Sequence, residues 1–208
     1  IDATRRLDER HGTETLIIYL TGDNGASAEG TIHGAWSAPS FQNGVHEDPE
    51  WLLEHIDDFG TARCENHFNV GWAWALDSPF QWMKQVASHF GGTRNGLAIS
   101  WPNSIPDAGG VRSQFHHVVD IAPTIYAAAG ITPPDKVNGI DQMSLDGVPM
   151  NYTFDADGES TRTTQYFEIL GNRAMYTTAG LPHASTVVCR GSECRPTNLT
   201  AQTRNGSC

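Results

Sequence analysis

The sequence predicts an α/β fold, with a mostly parallel or mixed central sheet flanked by helices and a small antiparallel subdomain toward the C-terminal end. Three observations carry this prediction. Residues 15–20, TLIIYL, are apolar or β-branched at nearly every position, the pattern of a strand covered on both faces in a parallel sheet. Residues 97–101, LAISW, form a second apolar run after a helical stretch, a helix-to-strand return onto the same sheet. Between residues 164 and 177, QYFEIL and RAMYT flank Gly171-Asn172 as the two arms of a hairpin.

Composition sets the limits on function. With 208 residues, 38% of them hydrophobic and 18% charged, the chain can bury a core. It holds no run of about 18 apolar residues and no basic stretch leading into an apolar segment, so no membrane partner is expected and no secretory leader is visible. The first residue is Ile1 rather than Met, a processing site or a truncation, and the compartment stays open. The net charge of −11, from 24 acidic and 13 basic residues, argues against nucleic acid as a partner and fits a cation binder. An anionic substrate would need a locally placed lysine or arginine against that overall field. Cys64, Cys189, Cys194 and Cys208 form no CxxC pair, so zinc is not indicated.

In chain order, residues 2–14 read as a helix end that Gly12 can cap. The strand over 15–20 is followed at once by Thr21-Gly22-Asp23-Asn24-Gly25. Open α/β sheets present ligand-binding loops at this place, just beyond the carboxyl end of a strand. Asp23 and Asn24 offer a carboxylate and an amide carbonyl, the oxygen donors that calcium and magnesium take, and two donors leave a shell of about six to eight unfilled. Asn24-Gly25 is also a strong turn signal, and from these residues alone the turn is the better reading. Residues 31–70 read as a long insertion with one helix over 48–56, begun by Asp48 or Pro49, that could shape a substrate entrance. His33, His46, His55 and His67 follow no metal-ligand spacing.

Ser78-Pro79 reads as the start of a short helix that contains Lys84 and ends at Gly91-Gly92. Lys84 stands among aromatic residues, where a lysine stem can also lie on apolar surface with its ammonium in water. The adjacent His116 and His117 with Asp120 read better as a helix start than as a metal cluster. Asp120 can cap, Pro123 falls in the first turn and Gly130 stops the helix. After Pro134 the chain reads as loop until the hairpin, and from about Gly180 it shows no helical or strand period.

Three blocks together resemble the bacterial arylsulfatases of the sulfatase family, in the alkaline phosphatase superfamily: the strand ending in GDNGA, KQVASHFGGTR with the apolar strand closing in Trp101-Pro102, and FHHVVDIAPTIYAAAGI. They occur in the family's order and at about its separations, across most of residues 2–176. The resemblance reverses the preference for a bare turn. It implies an alkaline phosphatase-like fold, of which this chain is the C-terminal portion, and hydrolysis of small-molecule sulfate esters with calcium or magnesium. It implies Asp23 and Asn24 as metal ligands and Lys84 as the catalytic residue that contacts the sulfate. His89 is a second substrate-binding candidate, at a position where relatives often carry glutamate and where a structural role beside the glycines competes. Arg94 is expected to anchor the loop. The compartment it leaves open is bacterial periplasm or cytoplasm.

In that family the nucleophile is a formylglycine hydrate, made from Cys or Ser within a C/S-x-P-S/A-R motif and lying beside two further acidic ligands. No such motif occurs in the 208 residues. Cys64 is followed by Glu-Asn-His, Cys189 by Arg-Gly-Ser and Cys194 by Arg-Pro-Thr. The isolated chain is therefore expected to be inactive. Two other readings stay in view: a phosphodiesterase or phosphonate monoester hydrolase of the same superfamily, and a non-catalytic domain that keeps calcium for stability. The expected domains are 1–154, the C-terminal part of the catalytic domain; 155–180, the start of the antiparallel subdomain; and 181–208, an atypical tail such as a reading-frame shift near Ala179 would produce.

Overall fold

The computed structural model describes residues 1–178, 185–190 and 193–198, with side chains described through residue 178. Two units emerge, Ile1–Thr21 with Gly96–Gln165 and Gly22–Asn95 with Tyr166–Cys208.

In the first unit, α1 (Asp2–His11) ends as expected at Gly12, which takes the left-handed conformation (φ 61°) that a residue without Cβ adopts freely. Asp8 ties the helix end to the strand that follows, accepting from the Thr15 hydroxyl at 2.6 Å and the Thr13 hydroxyl at 3.0 Å. Strand β1 (Ile17–Leu20) pairs with β2 (Leu97–Ser100) in register Ile17↔Ser100 to Leu20↔Leu97. Arg5 bridges α1 to the far end of β2, donating to Ser100 Oγ at 2.7 Å.

This pairing corrects two expectations. It is antiparallel, whereas the apolar runs predict a parallel or mixed sheet. A continuous apolar run encodes burial and not strand direction. The chain re-enters at β2 from the end at which it left β1, with the Thr21 N–H bonded to Gly96 O at 2.9 Å, so the two strands must run opposite ways. Nor is the run covered on both faces, since Tyr19 is 60% exposed. Among the described residues the strands form two two-stranded ribbons and one four-stranded sheet, without a larger central sheet.

The second ribbon, β3 (Lys136–Val137) with β4 (Ile140–Asp141), lies where the sequence reads as loop. Its turn is Asn138-Gly139, with φ 51° and 82°, the two-residue hairpin geometry that Asn-Gly favours. Helix α6 (Ile121–Ala129) has Pro123 in its first turn and stops at Gly130 (φ 65°), as expected. For this count α2 is Ala38–Gln42, α3 is Pro49–Glu54, α4 is Val70–Asp77 and α5 is Phe90–Thr93, all in the second unit.

Asp120 is more than a cap. Its side chain is fully buried and accepts from Arg162 Nε at 2.9 Å, from Arg162 Nη2, from the N–H groups of His117 (2.9 Å) and Val148 (2.8 Å), and pairs with His116 Nδ1 at 3.1 Å. The carboxylate thus caps the 3₁₀ turn Val118–Asp120 rather than α6 itself. It gathers three segments distant in sequence onto one charge. Met150 and Phe154 form the buried apolar part of this unit, and the Thr124 hydroxyl accepts from the Met150 N–H at 2.8 Å.

Burial pushes the Asp120 carboxyl up, but the Arg162 guanidinium and the His117, Val148 and His116 donors outweigh it and hold the group at about 2, below its ordinary 3.8. A depressed carboxylate stabilises the folded state in full above its unfolded value and loses that contribution as pH falls through the folded one. Urea unfolding should therefore show a stability loss between roughly pH 4 and pH 2 that is larger by about 2 kcal/mol in the wild type than in Asp120→Asn. A wild-type profile as flat as that variant's across this window would refute the assignment.

In the second unit, the segment 31–70 closes on itself. Ala35 and His67 exchange backbone hydrogen bonds at 2.9 Å, and Ser37 bridges to Glu65. Within the loop, α3 begins as expected at Pro49, with Asp48 accepting from the Glu50 N–H at 3.0 Å, and ends at Glu54, two residues short of the expected end. Trp36 packs edge-on against Trp51 and Phe59, with ring centroids 5.2 and 5.7 Å apart.

The helix expected to begin at Ser78-Pro79 ends there instead. Helix α4 is capped by Asn69, whose side chain accepts from the Trp72 N–H at 3.0 Å. A residue preceding proline is pushed out of the helical region by the proline ring, and Ser78 accordingly has ψ 139°. Residues 78–89 then run as turns, and Gly91-Gly92 lie inside the single turn α5 rather than terminating a helix. The buried apolar residues of this unit include Leu52, Ala73, Met83, Ala87, Ala174 and Tyr176.

The expected hairpin is present, with β5 (Thr164–Ile169) and β6 (Asn172–Thr177) joined by Leu170-Gly171, one residue earlier than predicted. Both turn residues have positive φ, 51° and 78°. The sheet continues as β5-β6-β7-β8 with β7 (Ser185–Arg190) and β8 (Glu193–Asn198), all pairs from β6 onward antiparallel. These strands occupy a region in which the sequence shows no strand period. Backbone pairing, which composition does not record, defines them, and Pro196 lies on the edge strand, where proline is tolerated. The remainder of the expected atypical tail lies outside the described residues. No helix among those described is long and apolar enough to cross a membrane.

Candidate functional site

The site is built within the second unit around the turn that follows β1. Gly22, with φ 89°, turns the chain, and Asp23 is exposed while Asn24 is half-buried. Asn24 Nδ2 donates to Asp23 Oδ1 at 3.0 Å, so the two side chains point the same way. The Asn95 amide grips the Asn24 backbone, its nitrogen donating to Asn24 O at 2.8 Å and its oxygen accepting from the Asn24 N–H at 3.3 Å, in the orientation the hydrogen bonds require.

The next residues fasten the turn to the segment carrying Lys84. The Gly25 N–H bonds to Gly92 O at 3.3 Å, and a Cβ on Gly25 would fall 1.6 Å from Gly91 O. No residue but glycine fits such an approach of two backbones. Gly91 and Gly92 are pressed in turn onto the backbone of Trp82 and Val86, where a Cβ would lie 2.0 and 2.3 Å from the respective carbonyl oxygens. The glycines therefore form a seam between two stretches of chain some 65 residues apart.

Ala26 is held from both sides. Its N–H donates to both carboxylate oxygens of Asp77, at 2.9 and 3.1 Å, and its carbonyl accepts from the Lys84 N–H at 3.0 Å. Burial pushes the Asp77 carboxyl up, against the pull of the Ala26 N–H. The Lys84 ammonium donates to Glu29 Oε2 at 3.0 Å, and the same carboxylate takes Ser27 Oγ at 2.9 Å and Gln85 Nε2 at 2.9 Å. Lys84 first of all, then Ser27, holds the Glu29 carboxyl below its usual range.

Of the residues singled out in the sequence, Asp23, Asn24 and Lys84 are thus joined by one strap of backbone. His89 pairs its Nδ1 with Ser88 Oγ at 2.8 Å, beside the glycines. Arg94 stacks over the rings of Phe80 (4.9 Å) and Phe90 (5.7 Å). Sequence reasoning missed Glu29, Asp77 and Asn95. Only the acidic Glu29 so close behind the turn was a visible signal; which backbone groups Asp77 and Asn95 hold is not written in any spacing.

The donor chemistry of Asp23 and Asn24, two oxygens on one exposed turn, fits a hard divalent cation as part of its shell. Among the described residues no group of three or more His, Cys, Asp or Glu is placed to hold a metal ion, and two oxygen donors would fill only part of such a shell.

A scan against protein families matches the Sulfatase family over residues 4–131, a span that contains the turn, the glycine seam and Lys84. No curated protein matches the chain. With well over half of its length matched, and with the matched span carrying the whole of the geometry above, the chain belongs to the sulfatase family.

Proposed function

We propose that the chain forms part of the site of an arylsulfatase-type sulfuric ester hydrolase, with Asp23 and Asn24 as ligands of calcium or magnesium and Lys84 as the group that contacts the sulfate. The observation that carries this reading is the seam between Gly25 and Gly91-Gly92, with the adjoining Ala26–Lys84 hydrogen bond, since it puts the oxygen-donor turn and the lysine on one rigid support.

A bound divalent cation supplies positive charge to the sulfate oxygens and to an attacking oxygen nucleophile. Asp23 and Asn24 present the oxygens that hold it, and Asn95 and Gly92 keep the turn from shifting. Lys84 offers N–H donors to the ester's anionic oxygens and stabilises the charge that develops as the S–O bond breaks. Asp77 holds Ala26, and through it the spacing between the turn and Lys84.

Because the 208 residues contain no C/S-x-P-S/A-R sequence, the polypeptide alone is expected to leave p-nitrophenyl sulfate unhydrolysed. Turnover that copurifies with the chain and vanishes in Asp23→Ala would refute that. In a polypeptide that also carries the motif, Asp23→Ala and Lys84→Ala should each lower turnover by about 100-fold or more. Unchanged activity in Lys84→Ala would show that another group contacts the sulfate. Calorimetric titration of calcium, lost in Asp23→Ala, reports on the ligand assignment without any turnover.

A further inference from the structure

We propose that Glu29 is a charge filter for Lys84, favouring singly charged ester anions over doubly charged ones. This rests on the reading of Lys84 as the sulfate contact and adds which anions that contact accepts.

Glu29 is built into place rather than left to chance. Three side-chain donors, Lys84 Nζ at 3.0 Å, Ser27 Oγ at 2.9 Å and Gln85 Nε2 at 2.9 Å, fix both of its oxygens, and His67 Nε2 lies 3.8 Å from Oε2. Ser27 and Gln85 bear no charge, so the lysine's positive charge is matched by one fixed negative charge. Both partners are only about one-third exposed. The ammonium has three N–H donors, one of them spent on Glu29, so it can still hydrogen-bond an anionic oxygen.

What it has lost is net attraction. Any anion that reaches Lys84 also comes within a few ångströms of the Glu29 carboxylate, and the repulsion grows with each charge the anion carries. A sulfate monoester carries one negative charge, as does a phosphodiester. A phosphate monoester carries two at mildly alkaline pH. A carboxylate on the lysine thus penalises the phosphate monoester by one more unit of repulsion than the sulfate ester of the same shape.

A purely mechanical role for Glu29, holding the lysine in position, makes a different prediction. Loss of positioning would weaken all anions by the same factor, whereas loss of a filter changes their ratio.

The test titrates the full chain at low salt and mildly alkaline pH, in the presence of calcium, with phenyl sulfate, methyl phenyl phosphate and phenyl phosphate, binding being followed by NMR. Glu29→Gln, which keeps the shape of the side chain, and Glu29→Ala should each shift the affinity ratio toward phenyl phosphate by about fourfold or more, the effect of one unit charge about 5 Å away. The ratio between phenyl sulfate and methyl phenyl phosphate should stay constant, since both carry one charge. Lys84→Ala should abolish binding of all three. An unchanged monoanion-to-dianion ratio in both Glu29 variants, with binding still dependent on Lys84, overturns the filter and leaves the role of Lys84 standing. A divergence of the two monoanions overturns it in favour of discrimination by shape. Failure of all three to bind the wild type overturns the lysine assignment and the filter with it.

Discussion

Replacing Arg162 with alanine should destabilise the first unit by about 3–5 kcal/mol, the cost of leaving a buried charge without its partner. Asp120 is fully buried and Arg162 nearly so, with one-tenth of its side chain exposed. The carboxylate would keep the His117, Val148 and His116 donors but lose the only guanidinium that contacts it among the described residues. The loss is larger than that of a surface ion pair because water cannot replace the missing charge. Urea unfolding should show the midpoint falling steeply in Arg162→Ala, and partial recovery in the double variant Arg162→Ala with Asp120→Asn, which removes the orphaned charge. An Arg162→Ala midpoint equal to that of the wild type would exclude the ion pair as a structural element.

Gly25→Ala is expected to be the most damaging single methyl addition at the site. Its Cβ would lie 1.6 Å from Gly91 O and 3.2 Å from Gly92 Cα, and both are backbone atoms that no side-chain rotation can move aside. The turn would have to separate from the glycine seam, at a cost of more than about 3 kcal/mol. Calcium uptake measured by calorimetry should fall more than about tenfold with it, a loss on the order of 1.4 kcal/mol or more in binding. Gly22→Ala is the matching control. Its φ of 89° makes the substitution strained, but the nearest atom to its Cβ, Asn24 O, is 3.7 Å away, an ordinary contact. The cost there should be about 1 kcal/mol from backbone strain alone. Equal effects of the two substitutions would mean that the close approach of Gly25 to Gly91 does not hold the turn.

Local chemistry was readable where it acts within a few residues. Gly12 and Gly130 cap their helices because a left-handed residue can be recognised from glycine following an apolar or charged helical stretch. Asp48-Pro49 starts a helix because the side chain and the missing N–H act within one turn. Asn138-Gly139 carried the same kind of local signal for a hairpin that the sequence reading passed over. Asn69 did so for α4, whereas Ser78-Pro79, which reads as a helix start, ends that helix instead.

The sequence by itself determined that Asp23 and Asn24 stand in a glycine-flanked turn after an apolar strand, and that Lys84 stands in the block before Gly91-Gly92. Membership in the sulfatase family follows from the family match over residues 4–131. Only the tertiary structure decided that β1 and β2 run antiparallel, that Glu29 neutralises Lys84, that Asp77 and Asn95 grip the backbone around the turn, and that Asp120 is the hub of a buried ion pair. Each of these depends on groups far apart in sequence, from 42 residues for Asp120 and Arg162 to 83 for Ile17 and Ser100. The pairing of a carboxylate with one N–H or ammonium among many is settled by where the folded backbone brings them, within hydrogen-bond reach of about 3 Å, and no periodicity or spacing in the chain encodes that distance.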